Sequence, residues 1–236
     1  MPETEAQWTQ KAYAKINLTL DVLGKRADGY HEVSMIMQAV SLHDTVIFQK
    51  RNSGISLSCN APDLPCDRGN LAFRAAELLQ QECGVNAGVH IDLVKRIPMA
   101  AGLAGGSSDA AAVLRGLDQL WQLGLGRSEL EQLAARLGSD VPFCLWGGTV
   151  QATGRGEILD PLVDSAGFGV VLAHPPIQVS TAWVYGRFSR LQTAGAKHNA
   201  AMRQALDQRD FPAVAANLFN ALESVTEPAY PQISAI

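Results

Sequence analysis

A single run, Pro98-Met-Ala-Ala-Gly-Leu-Ala-Gly-Gly-Ser-Ser-Asp-Ala-Ala-Ala-Val-Leu114, constrains this chain more than any other stretch. It follows alternating apolar residues, Val89, Ile91, Leu93 and Ile97, and leads into a helical pattern carried by Val113, Leu114, Leu117, Leu120 and Trp121. Strand, glycine-rich turn and helix start are thus joined without a spacer. Glycine adopts positive φ and lets the backbone approach a ligand with no Cβ in the way. Consecutive free N–H groups at a helix N-terminus then make a site for an anion, phosphate above all. The run is not a Walker A loop, because no Gly-Lys-Ser/Thr follows its glycines, and it does not match a dinucleotide fingerprint. The plainer reading is a glycine-rich turn with Ser107 or Ser108 as an ordinary N-cap. Spacing alone leaves both open.

The chain's 236 residues suffice for one large domain or two lobes, and 47% apolar content builds a substantial core. A net charge of −4, with no basic run, argues against a nucleic-acid surface. Cys59, Cys66, Cys83 and Cys144 form no C-x-x-C pair and read as reduced, buried thiols. The histidines are scattered, with no H-E-x-x-H, so no structural metal is expected. The acidic, polar start MPETEAQWTQ is unlike a signal peptide, and no apolar run approaches membrane-spanning length. The expectation is a soluble cytoplasmic protein that contacts neither membrane nor nucleic acid; its oligomeric state is not legible.

Residues 12 to 22 alternate, with Ala12, Ala14, Ile16, Leu18, Leu20 and Val22 on one face and Tyr13, Lys15, Asn17, Thr19 and Asp21 on the other. That pattern predicts a half-buried strand. Asp28-Gly29 marks a turn, and strands are predicted near 32–41, 44–50, 54–59, 89–97, 148–160 and 168–174. Gly69-Asn70 opens a helix that Gly84 ends, and Ser128-x-x-Glu131 reads as a capping box for a helix that stops at Gly138. Helices are predicted at 180–189, 196–208 and 211–225. The fold class is α+β in two lobes: a mixed α/β N-terminal lobe over residues 1–160 and a more helical C-terminal lobe over 161–236.

Several polar residues in this frame could carry chemistry. Lys15 lies on the polar face of the first strand, where it is either a solvated lysine or a compact ammonium able to neutralise phosphoryl charge. Asp140, in Leu137-Gly-Ser-Asp-Val-Pro142, is either an N-cap with Pro142 in the first turn or a carboxylate that takes an alcohol proton. Tyr30-His31, after the Asp28-Gly29 turn, and Tyr185 offer rings that can stack on a base. For Tyr185 the alternative is helix packing.

Four elements in order, Ala14-Lys-Ile-Asn17, Arg26-Ala-Asp-Gly-Tyr-His31, the glycine-rich run and Leu137-Gly-Ser-Asp-Val-Pro142, resemble the GHMP kinase superfamily. The Asp-Gly-Tyr-His element beside the Ala-Lys-Ile-Asn strand is similar to the branch acting on a cytidine-diphosphate ester of methylerythritol, in the non-mevalonate route to isoprenoids. The likeness covers residues 12 to about 230. It implies a two-lobed kinase with an unusual left-handed β-α-β unit and ATP with Mg2+ as phosphoryl donor. Pro98, Met99, Ala100, Ala101, Gly102, Leu103, Ala104, Gly105, Gly106, Ser107 and Ser108 would wrap the ATP phosphates, with Asn70 near the adenosine. Asp140 would be the catalytic base, with Lys15 keeping it ionised and steadying the attacking hydroxyl. Tyr30, His31 and Tyr185 would sandwich and read the cytosine, with Asn17 and Thr181 around the methylerythritol end. Rival readings are a GHMP kinase for another small alcohol, such as homoserine or mevalonate, or an inactive nucleotide-binding fragment.

Two features depart from the pattern. Asp109 beside the phosphate loop would repel a triphosphate unless screened by Mg2+ or turned away. The family also has a further Gly/Ser-rich turn, and nothing of that kind follows Pro228. The expectation is a chain lacking the family's C-terminal part, with Val214, Leu218, Leu222 and Val225 partly uncovered and turnover poor.

Overall fold

The structure, a computed structural model, describes residues 8–163, 167–175, 177–191 and 198–235. Its strands are β1 (Trp8–Lys25), β2 (His31–Arg51), β3 (Ile55–Cys59), β4 (Gly88–Val94), β5 (Thr149–Gly154), β6 (Ile158–Pro161) and β7 (Phe219–Asn220). Its helices are α1 (Leu71–Cys83), α2 (Gly105–Leu120), α3 (Arg127–Leu137), α4 (Val141–Trp146), α5 (Thr181–Leu191), α6 (Asn199–Asp207), α7 (Phe211–Ala216), α8 (Glu223–Ala229) and α9 (Pro231–Ser234). This is the expected mixed α+β chain. It forms two compact units interleaved in sequence: residues 1–14, 41–98 and 104–146 in the first, and 15–40, 99–103 and 147–236 in the second.

In the first unit β4 runs antiparallel to β2, with Thr45 opposite Val94 and Arg51 opposite Gly88. It runs parallel to β3, with Ile55 opposite Val89. The crossover between β3 and β4 is α1, as a parallel pair requires. Asn70 caps α1 by accepting the Ala72 N–H at 2.9 Å, and Gly84 closes it in the left-handed conformation. One face of the sheet, with Val46, Phe48, Ile91 and Leu93, is buried. The α2 stretch Ala110–Leu114 is buried as well. A Cβ on Gly116 would lie 2.5 Å from the Phe48 ring, so only glycine lets α2 come this close to the sheet.

The second unit pairs β5 antiparallel with β2, Val33 opposite Gly154, and β7 parallel with β1, Thr19 opposite Phe219. Leu18, Ile36, Met202, Ala205, Leu206 and Val214 make its core.

Several expectations need correction. The polar face of β1 is not solvated in this unit. Lys15, Thr19 and Asp21 are at most 5% exposed, and the start of α6 covers the last two: Thr19 donates to Asn199 at 2.6 Å and Asp21 accepts from the His198 backbone and ring at 2.8 Å each. The two strands read at 32–41 and 44–50 are one, β2. The stretch 148–160 is two strands, folded back at Arg155-Gly156, where Gly156 has φ of 107°. Residues 168–174 form no strand; among the described residues nothing pairs with them, and Val171 is 96% exposed. The helix predicted at 211–225 breaks after Asn217 because Phe219 and Asn220 join the sheet. Residues 196 and 197 of the helix predicted at 196–208 lie outside the described residues. The capping box sits two residues early: Glu129 accepts the Gly126 N–H at 2.7 Å, while Ser128 is inside α3. Val214 and Val225 are buried at 4% and 3% exposure, whereas Leu218 is 56% exposed.

Candidate active site

The glycine-rich run takes up a loop and the first turn of α2, but its glycines do not act as their chemistry suggests. Positive φ falls on Ala100 (56°), Gly102 (73°) and Ala104 (58°), at every second residue. Two of these are alanines, each held where a Cβ costs roughly 1–2 kcal/mol. Left-handed residues alternating with their neighbours are the geometry of an anion-binding nest. Gly105 and Gly106 are helical instead. Gly105 is small for a packing reason, since its Cβ would lie 3.2 Å from Ile97 Cγ2 and 3.3 Å from Lys95 Nζ.

Neither serine caps the helix. Ala104 holds the N-cap position, and the first helical bond runs from the Ser108 N–H to the Ala104 carbonyl at 2.9 Å. The N–H groups of Gly105, Gly106 and Ser107 therefore have no acceptor within the helix. Ser108 is buried and donates its hydroxyl to the Tyr13 carbonyl at 2.6 Å. Leu103 accepts the Lys15 backbone N–H at 3.1 Å, and Pro98 and Met99 are exposed. Asn70 spends Oδ1 on the α1 cap and one N–H on the Pro65 carbonyl at 2.9 Å, which accounts for its burial.

Beneath this helix start lies a buried cluster that sequence reasoning missed. Lys95 Nζ donates to Asp109 Oδ2 at 2.6 Å and also to Asp44 Oδ2. Asp44 Oδ1 accepts the backbone N–H groups of Arg96 and of Ile97, the latter at 2.8 Å. Burial works against the Lys95 charge, but the two carboxylates outweigh it and raise its pKa. Burial pushes the Asp109 carboxyl up to about 7 against the pull of Lys95. The concern over Asp109 is answered in part: the side chain is ion-paired inside the protein. The available signals were a charged residue, Asp44, within an apolar strand and a lysine closing the strand before the loop.

Lys15, on β1, is 5% exposed, and its Nζ donates to Asn17 Oδ1 at 3.2 Å. A buried ammonium on a rigid strand is costly unless it meets negative charge. Lys15→Met is expected to lower turnover at least about tenfold with little loss of stability, since methionine fills a similar volume. Steady-state kinetics beside a thermal melt check this; a variant that unfolds, with its folded fraction fully active, would make Lys15 structural.

Asp140 occupies the N-cap position of α4, its carbonyl accepting the Cys144 N–H at 3.1 Å, with Pro142 in the first turn. His31 and Tyr185 are brought together, rings stacked with centroids 5.1 Å apart. At that separation they touch each other, and a base cannot enter between them without a ring moving. Burial, then Lys25, lowers the His31 pKa and favours the neutral ring. Tyr30 stands apart, 54% exposed, with the Arg155 guanidinium 4.9 Å over its ring. Thr181 is exposed at the start of α5, whose buried face is Val184 and Phe188. Among the described residues no three His, Cys, Asp or Glu side chains converge as a metal cage, and no helix is long and apolar enough to cross a membrane.

The profile of the GHMP kinases N terminal domain matches residues 70–148, the stretch that holds this strand, left-handed loop and helix N-terminus. The chain is 53% identical to 4-diphosphocytidyl-2-C-methyl-D-erythritol kinase of a Synechococcus species, over 93% of this chain and 74% of that one. It belongs to the 4-diphosphocytidyl-2-C-methyl-D-erythritol kinase family, ATP-dependent kinases of the GHMP superfamily. The relative of that name in Shouchella clausii is 50% identical, over 98% of this chain and 77% of its own. A crystal structure of 4-(cytidine 5'-diphospho)-2C-methyl-D-erythritol kinase matches at TM-score 0.77 and 34% identity, over 97% of this chain and 80% of that one. A homoserine kinase from Cytophaga hutchinsonii, at TM-score 0.65 and 16% identity, shares the fold alone.

Proposed function

We propose that this chain transfers the γ-phosphoryl group of ATP to the 2-hydroxyl of 4-diphosphocytidyl-2-C-methyl-D-erythritol, within isoprenoid precursor synthesis in the cytoplasm. The observation that carries the reading is the α2 N-terminus, whose Gly105, Gly106 and Ser107 N–H groups are left for an anion. Phosphoryl transfer asks little covalent chemistry of the protein, so positioning and charge neutralisation supply the rate. In this reading Pro98 to Ser108 wrap the triphosphate, Asp140 accepts the hydroxyl proton, and Lys15 neutralises developing charge. Mg2+ arrives with ATP as part of the substrate, carried by phosphate oxygens. Asn17 and Thr181 attend the methylerythritol end, and Asn70 shapes the adenosine side through α1.

The cytosine is read by His31 and Tyr185, which part on binding or offer an outer ring face, and Tyr30, exposed and apart from them, turns in to reach it. Turnover with ATP and the cytidine substrate, inhibited by CMP but not by homoserine or mevalonate, tests the reading. Tyr185→Ala is expected to raise the KM for the cytidine substrate about tenfold, one lost stacking face of roughly 1–3 kcal/mol, and to leave the KM for ATP unchanged. Equal weakening of both ligands would remove these rings from the base site.

A further inference from the structure

The cluster under α2 holds one cation between two carboxylates, almost out of solvent: the side chains of Asp44, Lys95 and Asp109 are 0%, 7% and 2% exposed. Asp109 Oδ1 is buried with no hydrogen-bond partner, while its Oδ2 shares Lys95 with Asp44. Asp109 is the fifth residue of α2, so it lies roughly 6 Å down the axis from the helix start. A group meant to cradle phosphate therefore sits above a buried carboxylate whose charge is only half compensated. Each negative charge placed on the N-terminus of α2 worsens the imbalance.

This inference rests on the phosphate-loop reading. We propose that Asp109 is a positioning residue for the nucleotide phosphates that works as a neutral acid, taking up one proton from solvent when ATP binds and returning it when the nucleotide leaves. Lys95 then stays clamped to Asp44, which keeps Arg96 and Ile97, and with them the entry to the loop, in place. The proton turns the unpartnered Oδ1 from part of a buried anion into a neutral carboxyl oxygen, which is far cheaper to bury. The groups facing Asp109 are Lys95 at the end of β4, Asp44 on β2 and the Cys59 thiol on β3, itself pushed up by burial. Burial, which pushes the Asp109 carboxyl up to about 7 against the pull of Lys95, brings the uptake within reach of neutral pH. The sign follows: phosphate raises the Asp109 pKa further, so ATP affinity falls as pH rises through about 7.

The test is calorimetry of ATP binding, with saturating Mg2+, in two buffers of different ionisation enthalpy at about pH 7.5. With Mg2+ present the γ-phosphate is already ionised, so a proton taken up belongs to the protein. Uptake of most of a proton is expected, and Asp109→Asn should abolish it. Between about pH 6 and about pH 8.5 the ratio of wild-type to Asp109→Asn dissociation constants should rise at least about threefold. Binding without proton uptake, or Asp109→Asn binding ATP more weakly at every pH, would overturn the proposal while leaving the phosphate loop intact. No ATP binding by the wild-type chain would overturn both. If Asp109→Asn fails to fold, binding by the wild type without proton uptake still overturns the proposal, and Asp109→Ser, which also lacks the carboxyl, takes its place as the variant expected to abolish the uptake.

Discussion

Asp140→Asn is expected to lower turnover by at least about 10²-fold while the protein melts as before and binds both substrates nearly normally. The substitution is informative because of where the residue sits. As the residue before α4, Asp140 presents its carbonyl to Cys144, and asparagine is as good an N-cap as aspartate. The helix is therefore preserved and only the carboxylate's charge and basicity are lost. Turnover is followed by ADP release, and affinity by calorimetry. Near-normal turnover would return Asp140 to the role of a cap.

Gly105→Val should weaken MgATP binding about 10²-fold, an overpacking cost of up to about 3 kcal/mol expressed in affinity. The cause is contact, not backbone strain. Gly105 is helical, and its Cβ would already press on Ile97 and on the Lys95 ammonium. A branched side chain must push α2 off the end of β4, which carries Gly105, Gly106 and Ser107 away from the phosphates. Calorimetry with MgATP checks this, with circular dichroism to confirm the fold. Unchanged affinity in a folded variant would mean the loop is only a turn.

Local chemistry made much of this chain legible. Asn70 and Gly84 bound α1 because capping and left-handed closure depend on residues a turn apart. The phosphate loop was legible as a strand-to-helix junction, yet the residues with positive φ were not, because Ala100 and Ala104 are held there against their own preference. The burial of Thr19 and Asp21 was not legible because alternation says which face a residue is on, not what covers that face; the start of α6, far along the chain, decides it. Lys95 was missed for the same reason, its partners Asp44 and Asp109 lying 51 and 14 positions away. The failed strand at 168–174 and the broken helix after Asn217 both turn on whether a partner strand exists.

The bond from Thr19 to Asn199 spans 180 positions, and those from Asp21 to His198 span 177. During synthesis the first strand therefore leaves the ribosome long before anything that will cover its polar face. Thr19 and Asp21 must wait in water, and the edge that β7 will take stays open, until residues 198–220 are out. Contacts of such separation are slow to form, and an open edge that waits is where chains associate wrongly. Hydrophilic residues on that strand keep the waiting segment wet, a purpose served before the enzyme exists.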